Sequence, residues 1–264
     1  MQKMRHHLGA ALGAALLAAA GASAAAQDFN WEGRLAAGQT VEVKGVNGDV
    51  DAGPAAGELA QVTAVKKGRR SDPASVQVKV VEHSGGVTIC AVYPTPAGKP
   101  PNECLPGEGG RMSVDKNDVS VRFTVRVPPG VRFVGRTVNG GVAAEGLTGD
   151  VAARTVNGEV RLSTAGRRAE AETVNGSITA ALGRANGTEP LIFKTVNGSI
   201  TVELPAAANA DLHATTVNGT IDSDFSLHGP TRISRRSLSG TIGSGGRELA
   251  LDTVNGSIRI RQAR

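Results

Sequence analysis

The amino-acid sequence predicts an all-β protein built as a β-solenoid, a single-stranded β-helix-like stack of coils. Three observations predict it. The first is a recurring tetrapeptide. Thr-Val-Asn-Gly starts at Thr137, Thr155, Thr173, Thr195, Thr216 and Thr253, Ser237-Leu238-Ser239-Gly240 reads as a worn copy, and Val46-Asn47-Gly48 as an outlying one. The starts lie 18, 18, 22, 21, 21 and 16 residues apart, and self-similarity near this period marks stacked repeats. The second is alternation around the motif. Counting from Thr as zero, positions −4 and −2 are mostly apolar (Leu191 and Phe193; Leu249 and Leu251), and +5, +7 and +9 often are (Ile200, Val202 and Leu204). Apolar residues two apart mark one buried strand face. The third is composition: aromatic residues are 3% of the chain, which suits a thin core of small and β-branched side chains.

Each repeat therefore reads as strand, Asn-Gly bend, strand. Asn and Gly tolerate positive φ and suit a sharp corner. An antiparallel hairpin meander is the alternative, with Asn-Gly as a type I′ turn. Stacking favours the solenoid, because it places Val on Val and Asn on Asn and so explains why the same four residues return. About seven Thr-Val-Asn-Gly repeats at about 4.8 Å per layer make a rod on the order of 30 Å. The expected structural ladder is Asn139, Asn157, Asn175, Asn197, Asn218 and Asn255, joined by side-chain hydrogen bonds. The functional alternative is that these amides form an exposed row for a repetitive ligand such as a glycan.

Taken in order, the chain divides into 1–26, 27–136 and 137–264. Lys3, Arg5, His6 and His7, the apolar run Leu8 to Ala20, and small residues at Ala22-Ser23-Ala24 and Ala24-Ala25-Ala26 read as a secretory signal peptide. It is too short to span a bilayer, and no later run is long enough, so the mature chain is expected to lack a transmembrane segment and to be periplasmic, cell-surface or extracellular. Without the leader's Lys3 and Arg5 the chain keeps 27 basic against 24 acidic residues, a net charge of +3 with His neutral. That mild balance gives no argument for nucleic acid. Arg167-Arg168 and Arg235-Arg236 read as solvated faces and bends, with a polyanion groove as the alternative.

Residues 27–136 are β-rich without a regular repeat and read as a β-sandwich-like cap over the first coil. Thr40 to Lys44, Ala60 to Lys66, Val76 to Val81, Val87 to Val92 and the alternating Val119 to Val127 are the strand candidates, with Trp31 over an end of the layer. Cys90 and Cys104 are the only cysteines. In an oxidising compartment they are expected to pair, stapling a Pro-rich loop, and the spacing is not that of a Cys-x-x-Cys redox pair. After Ser257-Ile258-Arg259-Ile260-Arg261 no sequence remains to cover the final coil, so its arginines are expected to protect an open edge, or the edge dimerises.

No catalytic, cofactor-binding or metal-binding residue is expected. His83, His213 and His228 are widely separated, no serine lies in a Gly-x-Ser-x-Gly elbow, and Gly243-Ser244-Gly245-Gly246 lacks the Lys of a phosphate cradle. Asp49 with Asp51, and Asp222 with Asp224, place paired carboxylates on one strand face; a solvated face is the simpler reading, and calcium binding or acid–base work the other.

The phrases Val125-Arg126-Val127-Pro128-Pro129-Gly130-Val131, Thr137-Val138-Asn139-Gly140-Gly141-Val142 with its successors, and Gly146-Leu147-Thr148-Gly149-Asp150-Val151 resemble the bacterial putative-adhesin family of β-strand-repeat proteins, a domain of unknown function, over roughly residues 40 to 264. The resemblance implies a β-solenoid and an exported, non-enzymatic protein, and it carries over no catalytic residue. The expected function is an adhesin-like or cell-envelope binding or scaffold protein that presents a rigid repetitive surface to an envelope protein or glycan. One rival is a polysaccharide-acting β-helix enzyme, which Asp222, Asp224 and an arginine converging in a groove would favour. Another is an envelope protein that self-assembles end to end.

Overall fold

The computed structural model describes residues 29–263; the leader expected at residues 1–26 lies outside the described residues. The chain forms β1 (Phe29–Arg34), β2 (Thr40–Lys44), β3 (Val50–Pro54), β4 (Leu59–Lys67), β5 (Gln77–His83), β6 (Gly86–Val92) and β7 (Ser120–Val127). The repeats follow as β8 (Arg132–Arg136), β9 (Val142–Leu147), β10 (Val151–Arg154), β11 (Val160–Thr164), β12 (Ala169–Glu172), β13 (Ile178–Leu182), β14 (Leu191–Lys194) and β15 (Ile200–Leu204). The last elements are β16 (Ala210–Asn218), β17 (Ile221–Ser223), β18 (Leu227–Ile233), β19 (Ser237–Ile242), β20 (Arg247–Asn255) and β21 (Ile258–Gln262).

Two sheets face each other. One has ten strands, ordered β1-β4-β7-β3-β9-β11-β13-β15-β21-β17, and the other eleven, ordered β18-β19-β16-β20-β14-β12-β10-β8-β2-β6-β5. Successive coils pair in parallel and in register: Val160 opposes Ile178, Ile178 opposes Ile200, and Ile200 opposes Ile258. Parallel pairing of equivalent positions makes a solenoid and excludes the hairpin meander, whose neighbours would run antiparallel. Positions −4 and −2 point inward from one sheet and +5 and +7, with +9 in most coils, from the other. Phe193, Leu249, Leu251, Ile200, Val202 and Ile258 are accordingly buried. Trp31 on the edge strand β1 packs against this core half-buried.

Chain order is not stacking order at either end. The coil β2–β3 lies one layer inside β6–β7, and it carries the outlying Val46-Asn47-Gly48 corner. At the other end β20–β21 inserts between β14–β15 and β16–β17. The expectation of an uncovered final coil is therefore corrected: the last strands in sequence are interior, and the outer positions go to β17 in one sheet and to the antiparallel β19 and β18 in the other. The worn copy is corrected too. Ser237 to Gly240 lies within β19 and makes no corner.

The corners show what the motif is for. The Thr hydroxyl is buried and donates to the Gly carbonyl of the neighbouring layer: Thr155 to Gly140 at 2.8 Å, Thr173 to Gly158 at 3.0 Å, Thr195 to Gly176 at 2.9 Å and Thr253 to Gly198 at 2.9 Å. Backbone bonds run both ways between layers, as from Asn157 N to Val138 O at 2.7 Å and from Gly158 N to Asn175 O at 3.0 Å. Glycine is required by this close approach. A Cβ on Gly176 would lie 1.9 Å from the Gly158 oxygen, inside any permissible contact. Positive φ is the lesser reason, contrary to the sequence expectation. Among the corner glycines only Gly48 and Gly140 have it, and no corner asparagine does.

Gly176→Ala should thus lower stability by at least about 2 kcal/mol, since backbone cannot yield as a side chain can. Asn175→Ala, which removes one donated and one accepted exposed hydrogen bond, should cost only about 1 kcal/mol. Urea denaturation of both variants checks the order; equal losses would contradict a steric role for the glycine.

Candidate functional site

The corner face is the candidate site because one of its four residues is left over. Thr is buried in the inter-layer bond and Gly is held by sterics. Asn forms the ladder: the Asn139 amide Nδ2 donates to Asn47 Oδ1 (2.9 Å), Asn157 to Asn139 (2.9 Å), Asn175 to Asn157 (2.8 Å), Asn197 to Asn175 (2.8 Å), Asn255 to Asn197 (2.7 Å) and Asn218 to Asn255 (2.8 Å). Every amide points the same way along the stack. All but the half-buried Asn47 are exposed, and each asparagine inside the row uses one N–H and one acceptor site within it, while at its ends Asn47 only accepts and Asn218 only donates along the row. Val takes no such part. Val138, Val156, Val174, Val196 and Val254 are 37–39% exposed, and Val217 is 53% exposed. The chain therefore carries an aliphatic row beside an amide row, one pair per layer of about 4.8 Å.

The row begins under a loop. Residues 93–119 connect β6 to β7, where the other corners have at most five residues between strands. Tyr93 Oη closes the loop's base on Val119 O at 2.7 Å. The buried Asn102 holds its middle, donating to Tyr93 O (3.0 Å) and Ser113 O (2.8 Å) and accepting from Ser113 N (2.6 Å). Cys90 and Cys104 are disulfide-bonded with Cα atoms 5.7 Å apart.

Charges clamp the loop to the sheet that holds β2, β8, β10 and β12. Lys44 Nζ donates to the carbonyls of Leu105 (2.6 Å), Gly107 (2.5 Å) and Gly109 (3.0 Å), and burial pulls its pKa below the ordinary lysine value. Glu42, almost wholly buried, accepts from Thr88 Oγ1 and Gly107 N, both at 2.9 Å. Glu108 is gripped by Arg136 (2.7 Å) and Arg154 (2.7 Å). The Arg136 hydrogen bond is the main reason its carboxyl falls from 4.5 to about 2. Arg154 also pairs with Glu170 and Glu172. Burial pushes the Glu170 carboxyl up, but Arg154 and Arg168 outweigh it and hold it below the ordinary value.

On the other side of the corner the loop walls a cleft of about 1350 Å3. Lys67, Arg69, Arg70 and Lys116 line it, all exposed, and none forms an ion pair among the described residues. Sequence reading missed this cluster. The run Lys66-Lys67-Gly68-Arg69-Arg70 was visible as a charge concentration, but its meeting with Lys116 depends on the long loop.

The paired carboxylates lie elsewhere. Asp49 pairs with Arg122 at 2.8 Å and accepts from Gly141 N at 2.9 Å. Asp222 and Asp224 each lie 2.8 Å from Arg261 Nη1, so two carboxylates and an arginine do converge. They sit exposed at the end of the stack, where β17 is the edge strand. Asp224 also accepts from Gln262 N at 3.2 Å, and the Arg261 hydrogen bond holds its carboxyl below the ordinary aspartate value. A general acid needs the opposite shift. Among the described residues no three His, Cys, Asp or Glu side chains group as metal ligands, and no helix is long and apolar enough to cross a membrane.

This architecture defines a class: a two-sheet β-solenoid whose corners carry the repeat. Residues 134–261, the repeat-bearing segment, match the family described as Toastrack DUF4097. No curated protein matches the chain. A crystal structure of a putative cell adhesion protein from Clostridium sporogenes is similar in fold, with a TM-score of 0.52 and 10% identity over 90% of this chain and 100% of that one. Putative adhesins from Bacteroides fragilis (12% identity, 90% of this chain and 97% of that one) and Parabacteroides merdae (10%, 90% and 96%) align with TM-scores of only 0.26 and 0.24.

The Glu108 clamp predicts a pH dependence. Its folded pKa lies below its unfolded one, so its contribution is complete above about pH 4.5 and is lost as pH falls toward about 2. Wild type should be more stable than Glu108→Gln at pH 6, and the gap should close over that window in urea titrations. A gap independent of pH would contradict the clamp.

Proposed function

We propose that the chain is an exported, non-enzymatic, adhesin-like or envelope-binding module that lays its row of corners along an elongated, repeating partner. One observation carries this reading. The exposed valine recurs at every Thr-Val-Asn-Gly corner, although stacking consumes only its three companions in the motif. Lone exposed apolar residues need no explanation, but an aligned row of six is the kind of patch that marks an interaction surface. Rigidity favours the same use, because a row fixed by layer-to-layer bonds loses little conformational entropy on binding. The fold shared with the Clostridium sporogenes structure described as a putative cell adhesion protein supports the reading. So does the secretory leader expected at residues 1–26, which directs the chain to the periplasm or the cell surface.

The enzyme reading has the Asp222–Arg261–Asp224 convergence in its favour. Against it, Arg261 pairs with both carboxylates, and Asp224 additionally anchors the backbone of β21. The three act as a stitch at the end of the stack.

The test uses labelled mature chain and isolated cell envelopes. Binding should saturate, and Val156→Thr/Val174→Thr/Val196→Thr should weaken it at least tenfold, about 1.4 kcal/mol. Thr keeps the β-branched shape, so the melting temperature should barely move. Val174→Ser alone serves as a milder variant. Undiminished binding by the folded triple variant would refute the corner row as the binding surface.

A further inference from the structure

We propose that the cleft at the head of the corner row binds an anionic glycan, a carboxylated or sulfated polysaccharide chain. This rests on the binding reading above and names what is held at one end of the row.

Charge decides the sign of the ligand. On the sheet side of the corner, Arg136 and Arg154 are neutralised by Glu42, Glu108, Glu170 and Glu172. On the cleft side, Lys67, Arg69, Arg70 and Lys116 have no carboxylate partner among the described residues. The one acid in the lining, Asp118, is already engaged: it accepts from Arg70 N at 3.0 Å and Ser71 N at 2.9 Å. Those bonds fix the turn that carries the two arginines. Lys116 is the only non-glycine residue among those described with a left-handed backbone, φ 49°. That conformation costs about 1 kcal/mol and is compatible with glycine in any fold that does not need the charge.

Shape and chemistry decide the class. The cations come from two separate segments, so they call for several spaced anionic groups, which a polymer supplies and a single headgroup does not. At about 1350 Å3 the cleft exceeds the usual range of about 300–1,000 Å3 for small-molecule pockets. Its floor mixes aliphatic side chains (Val46, Val138, Met112, Val114) with the amides of Asn47 and Asn139. Sugar rings present C–H faces and hydroxyls together, and suit such a floor. Beyond the cleft the Val and Asn rows continue the same alternation layer by layer, so a chain leaving the cleft meets the same surface.

Fluorescence anisotropy with a labelled heparin oligosaccharide, on the full mature chain, tests this. Neutral dextran, polyglutamate and phosphatidylglycerol vesicles are the comparison ligands. The heparin probe should bind tightest of the four, and weaken as salt rises. Arg69→Ser/Arg70→Ser should lose at least tenfold in affinity, and Arg235→Ser/Arg236→Ser, an exposed pair near the other end, should lose none. Lys116→Gly should bind several-fold more weakly while melting no lower than wild type, which separates lost charge from lost fold. Equal binding by the cleft variants, or tighter binding of dextran, polyglutamate or vesicles, overturns the proposal. If heparin fails while envelope binding persists and still responds to the valine variants, this inference falls and the corner reading stands; if envelope binding is absent as well, both fall.

Discussion

Layer-to-layer contact at the corner is the constraint on which the rest depends. A Thr hydroxyl meets the Gly carbonyl of the next layer with no room for a Cβ between the two backbones. Any side chain at that glycine would push the layers apart, and the parallel ladders of both sheets would lose register together. Given that contact, the core can be thin. Each coil contributes only a few inward residues from each sheet, and Ala153, Ala171 and Ala180 suffice where Phe193 or Phe133 fills the neighbouring space. The repeat is thus a packing code, and this is why it returns unchanged while the residues around it vary.

Much of this was legible in the sequence, because the period-two pattern and the motif are local. Residues −4, −2, +5 and +7 of the repeats starting at Thr155, Thr173, Thr195 and Thr253 face the core where the alternation puts them, and both cysteines meet. At +9 the pattern lapses at Gly146, where a bulge brings Leu147 inward, and at the exposed Gln262. The order of the coils was not legible. Every coil presents the same corner and similar apolar edges, so nothing in a single coil says which other coil it touches. Connections decide that: the loop 93–119 carries β7 outward, and the β18–β19 hairpin lets β20–β21 return to the interior. Ser237-Leu238-Ser239-Gly240 kept the look of a corner but lies across from Leu212, His213, Ala214 and Thr215 in an antiparallel pair. The cationic cleft was hidden for a related reason. Its members are far apart in sequence and meet only through a loop that no repeat describes.

Function follows from what the packing code leaves over. Thr, Asn and Gly are accounted for by stacking. Val is not, nor are the four unpaired cations at the head of the row. The two leftovers adjoin: Val46 and Val138 line the cleft, and the aliphatic row continues from Val138 to Val217. The loop that walls the cleft is tied down by a disulfide, by Lys44 on three carbonyls, and by Glu108 between two arginines. A loop held this firmly gives a preorganised edge to a surface that is already rigid.

A photo-crosslinking scan around one coil tests the central claim most directly. The same photoreactive residue would replace Val174 at the corner, Thr179 and Ile192 on the outer faces of the two sheets, and Arg184 on the opposite turn, in protein expressed in its own cells. The account predicts adducts from position 174 and not from the other three. Adducts concentrated at 179, 184 or 192, with none at 174, would contradict it.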